Sequence, residues 1–62
     1  MDAIEKDLAS RKEEIKKEIK LLFEANMKIT DWDVPEADES KAAKLLLAIM
    51  QEALDELKAQ NN

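Results

Sequence analysis

Pro35 is the only proline in a chain of 62 residues that has no glycine at all. Tight turns and bulges draw on glycine, and proline interrupts regular structure, so this chain has few places at which to change direction. Ala, Leu, Glu and Lys, all strong helix formers, fill much of the rest. The fold class expected is all-α: two helices on either side of one break, folded back as an antiparallel helical hairpin.

The break is also marked by charge. Residues 30–40, TDWDVPEADES, hold the only Trp and five acids without a base, whereas residues 1–29 carry seven of each sign and residues 41–62 three of each. The net charge of −5 therefore resides entirely in this segment. A helix connection or a binding determinant would each give such a contrast.

The first helix is expected over about residues 3–28. Asp2 and Glu5 have the spacing of a capping box. Acids stand four residues ahead of bases at Asp2/Lys6, Asp7/Arg11, Glu13/Lys17 and Glu24/Lys28, the orientation that supports a solvated helix face. Ile4, Leu8, Ile15, Ile19, Leu22 and Phe23 fall in one apolar stripe about 100° wide, with Leu21 outside it. Arg11 and Lys12 interrupt the stripe and lend it only their aliphatic stems. Asn26, on the same face, is read as a C-cap in the left-handed region, or alternatively as a buried polar residue that fixes register.

Two starts are open for the second helix. Asp33 with Glu36 repeats the capping-box spacing and puts Pro35 in the first turn; Ser40 is the later candidate. The earlier start gives a connection at about 29–33, a second helix at about 34–59 and arms of near-equal length. It also places Glu36, Asp38 and Glu39 where the helix dipole favours acids. Trp32 is expected to fold over the hairpin end near Met27 and Ile29, its indole N–H at the surface. The alternative makes Asp31, Trp32 and Asp33 an exposed recognition strip anchored by the indole.

From Lys41 onward the apolar residues span an arc of roughly 200°, about twice what one partner helix covers. Ala43, Leu46, Met50, Ala53 and Leu57 keep a coiled-coil-like spacing, with Leu45 and Ile49 as a second flank. Helix 1 covers one flank in this reading and leaves the other for a further helix. The candidate protein interface is therefore Leu45, Leu46, Ile49, Met50, Ala53, Leu54 and Leu57, and the simplest closure is a twofold dimer of hairpins, a four-helix bundle.

Chain length points the same way. A domain of this size buries only about 60% of its unfolded surface, and without Cys or His there is neither a disulfide nor a zinc site to reinforce it. Association with a second chain is the remaining support. No apolar run approaches a membrane span and no targeting signal is evident, so the default expectation is a cytoplasmic protein with no membrane partner. The acidic balance argues against nucleic acid as a partner.

The residue types exclude most chemistry. Without His, Cys or Tyr the usual neutral-pH base, thiol nucleophile and phenol are missing, and without Gly no phosphate-cradling loop forms. No enzyme activity, no small-molecule substrate and no cofactor are expected. The acids of the break fail as a calcium loop: Asp31 and Asp33 fit the first two ligand positions, but Pro35 and Glu36 occupy the fifth and sixth, and Ala42 the twelfth. No metal site is expected.

The sequence thus reads as a non-enzymatic, self-associating helical interaction module that uses the wide face of helix 2. Three other readings compete with it: a small co-chaperone or adaptor that pairs with a different helical protein, an acidic inhibitor that mimics nucleic acid, and a designed helical bundle.

Overall fold

A computed structural model describes residues 2–36 and 38–61. It contains two helices, α1 over Ala3–Asp33 and α2 over Glu39–Gln60, and no strand among the described residues. Asp2 caps α1 as its spacing predicts: its carboxylate accepts the Glu5 backbone N–H at 2.8 Å. Of the four anticipated i,i+4 ion pairs one forms, Asp7 with Arg11 at 3.0 Å, while Glu13 pairs with Lys16 and Glu24 with Lys20 at 3.9 Å. All three are exposed, and each is worth a few tenths of a kcal/mol at most.

The break lies five residues later than a second-helix start at Asp33 puts it. α1 does not stop near residue 28 but continues through the whole anticipated connection to Asp33. The cause is the residue before proline. The Pro35 ring disfavours the helical region for Val34, which sits at φ −132° and ψ 81° while its N–H still donates to the Thr30 carbonyl at 2.8 Å. Asp33 is thus the last residue of α1, and not the cap of α2. Asn26 is correspondingly mid-helix: no described residue has positive φ, and its Nδ2 donates to the Leu22 carbonyl at 2.9 Å.

α2 starts close to the later candidate. Asp38, two residues before Ser40, is the N-cap, and its carboxylate accepts the backbone N–H groups of Ser40 at 2.9 Å and Lys41 at 3.3 Å. Pro35 lies in the turn, ahead of the helix. At the other end Asn61 donates its side-chain amide to the Leu57 carbonyl, and Lys58 stands in the last turn, where the dipole favours a cation.

The arms are unequal, 31 residues against 22. Ile19 and Leu22 of α1 share a groove with Met50, Ala53 and Leu54 of α2, and Thr30 and Val34 share another with Ala42 and Leu45. The helices are therefore antiparallel, with facing residue numbers adding to about 72. On that register the end of α2 is level with about residue 12 of α1, and residues 3–11 run on alone for about 14 Å at 1.5 Å per residue. The longest dimension of the molecule, 49 Å, is close to the length of α1 by itself.

No described residue is buried. Ile15, Phe23, Asn26, Met27 and Thr30 of α1 and Ala42, Ala43, Leu46 and Met50 of α2 are half-covered, and these mark the seam. A compact 62-residue domain has a radius of gyration of about 11 Å; this hairpin has 15.3 Å.

Candidate interaction surface

α2 meets α1 through the middle of its apolar arc. Ala42, Ala43, Leu46 and Met50, the half-covered residues, cluster at the centre of the helical wheel's apolar sector. Leu45 and Ile49 lie to one side of that line, Leu47 and Leu54 to the other. α1 was expected to cover one flank; it covers the centre and leaves both flanks open. Leu45 is 57% exposed and Ile49 62%.

This divides the seven interface candidates. Leu46 and Met50 already serve the hairpin's own seam. Leu45, Ile49, Leu54 and Leu57 stand exposed, as does Ala53. Leu57 and Ala53 have the azimuth of the seam, yet toward the open end they are no more covered than the flanks. α1 adds apolar surface that wheel counting understated: Leu22, Leu21 and Ile29 are exposed, as are Ile4 and Leu8 beyond the end of α2. A shallow cleft on α1 alone, bounded by Leu8, Ala9, Ile15 and the side chains of Lys12 and Lys16, occupies the place where Arg11 and Lys12 interrupt the stripe.

The strip Asp31, Trp32, Asp33 is the last turn of α1, and all three residues are exposed. Trp32 does not fold over the hairpin end: it is 87% exposed. Once α1 is helical through Asp33, the indole position is fixed by the helix and points away from the half-covered Thr30 side. The two aspartates sit at a helix C-terminus that has no basic residue in its last turn, where the dipole disfavours them. Of the five acids in residues 30–40 only Asp38 and Glu39 gain from a helix N-terminus, so the helix dipole accounts for less of the acidic excess than the earlier start of α2 would give.

Among the described residues no three carboxylates converge closely enough to hold a metal ion, and no helix is long and apolar enough to cross a membrane. No buried polar side-chain atom lacks a partner among them. The accessible surface is 5641 Å². A compact monomer of this mass exposes about 4,100 Å² by the usual scaling, roughly 1,500 Å² less.

Compared with family models, curated proteins and solved structures, the chain matches none.

Proposed function

We propose that this chain is a non-enzymatic helical interaction module whose biological unit is two or more helices larger than the hairpin, with a second copy as the partner. The observation that carries this reading is the absence of any buried residue among the described residues of a chain with so many large apolar side chains. An excess exposure of roughly 1,500 Å² per chain amounts to about 3,000 Å² in a pair. An interface that buried all of it would fall within the 2,000–5,000 Å² typical of obligate homodimers. The exposed apolar side chains on both helices, Leu21, Leu22 and Ile29 of α1 with Leu45, Ile49 and Leu54 of α2, are the kind of surface that serves association.

The test is sedimentation equilibrium of the full chain beside its Ile49→Asp variant. Ile49 lies outside the hairpin seam, so the substitution leaves the α1–α2 contact intact and acts on the outer flank. The wild type is expected at twice the chain mass of 7.1 kDa. The variant is expected to shift toward a single chain while keeping much of its helical circular dichroism. A wild-type chain that is monomeric and cooperatively folded at micromolar concentration would overturn the reading. A monomer that is only partly helical until another protein is added would instead support the adaptor alternative.

A further inference from the structure

Residues 3–11 have no partner within the hairpin. Ile4, 71% exposed, and Leu8 continue the stripe of Ile15, but α2 has ended before their level is reached. This overhang carries two acids, Glu5 and Asp7, and two bases, Lys6 and Arg11, and is therefore neutral. The opposite end of the hairpin carries five acids and no base.

From these two asymmetries we infer that the second copy lies antiparallel to the first, with the overhang of each α1 beside the turn end of the other hairpin. The inference rests on the self-association proposed above and adds its geometry. A parallel pair sets the two turns side by side, ten acids at one end against the two Lys41 side chains beside them. It also sends both overhangs past both α2 helices, where Ile4 and Leu8 meet nothing but each other.

Turning one copy over removes both defects. Each acidic turn then faces a neutral segment instead of five further acids. A twofold axis near the middle of α1, at about residue 18, sets the two long helices side by side with opposite ends level and keeps the assembly close to 49 Å in length. The same operation slides the first half of the partner's α2 alongside residues 3–11, so that Leu8 comes level with an exposed Leu45. Each α1 is then covered by its own α2 over most of its length and by the other copy's α2 over the remainder. The stagger explains how arms of 31 and 22 residues close without an unpaired end.

The chain has no cysteine, so one introduced thiol places one spin label. Lys6→Cys marks the overhang and Glu36→Cys the turn, both at exposed positions. Dipolar distances are read in samples first weighed by sedimentation equilibrium. With 1.5 Å per residue, each like-labelled dimer is expected to give a separation above about 35 Å, and a mixture of the two variants a new distance below about 25 Å. A dimer with like-label distances below about 25 Å overturns the antiparallel arrangement and leaves the self-association standing. A dimer whose mixed pair also lies beyond about 35 Å overturns the overlap of overhang and turn. A molar mass of one chain overturns the proposed function itself.

Discussion

Asp33 and Asp38 are the same residue type five positions apart, and the helix ends give them opposite energetic roles. Asp38 satisfies two backbone N–H groups of α2, so Asp38→Ala is expected to cost about 1 kcal/mol in denaturant unfolding. Asp33 closes a helix whose C-terminal dipole repels it. Asp33→Lys should therefore stabilise, by about 0.5 kcal/mol at low salt, with the gain shrinking as salt is added. Equal signs for the two substitutions would contradict the capping assigned here. Trp32 reports on the same helix end: at 87% exposure, its fluorescence in any state that leaves the α1 terminus uncovered is expected to be red-shifted and readily quenched by acrylamide. A blue-shifted, protected emission would show that something covers the indole.

At the level of helices, the difference between seam and flank is measurable. Leu46→Asp puts a charge into the half-covered contact between α1 and α2 and should lower helicity and mass together, whereas Ile49→Asp should lower mass with much less loss of helicity. If both variants behave alike, the division of the α2 arc is wrong. The two-helix class was legible because propensity and the missing glycine act along the whole chain. Asp2 was legible because Glu5 stands three residues after it, in the spacing of a capping box. The position of the break was less so, since two local rules compete at the centre: the Asp33/Glu36 spacing signals a helix start, and the restriction that Pro35 imposes on Val34 signals a helix end. The second prevails because it is steric, whereas the first is a hydrogen bond that Asp38 supplies equally well. Asp38 lacks a Glu or Gln three residues on, so its capping role left no box in the sequence. Among the surface residues, the width of the α2 arc was readable, but which part α1 would cover depends on the packing of two particular faces, which wheel periodicity does not encode.

For the molecule as a whole, stability and association should be inseparable. A hairpin with no buried residue among those described gains little from folding alone, so the thermal midpoint is expected to rise with protein concentration over the micromolar range. A midpoint independent of concentration, with a cooperative transition, would mean that the hairpin sustains itself. The lack of a core also has a kinetic consequence. Most contacts in this chain are between residues one helical turn apart, and such contacts form within microseconds because little loop entropy opposes them. Closing the hairpin adds only the short connection at residues 34–38. If the chain self-associates as proposed, the step that commits the structure is an encounter between molecules. The rate at which this protein reaches its final form would then be set by how many copies are present more than by the sequence of any one of them.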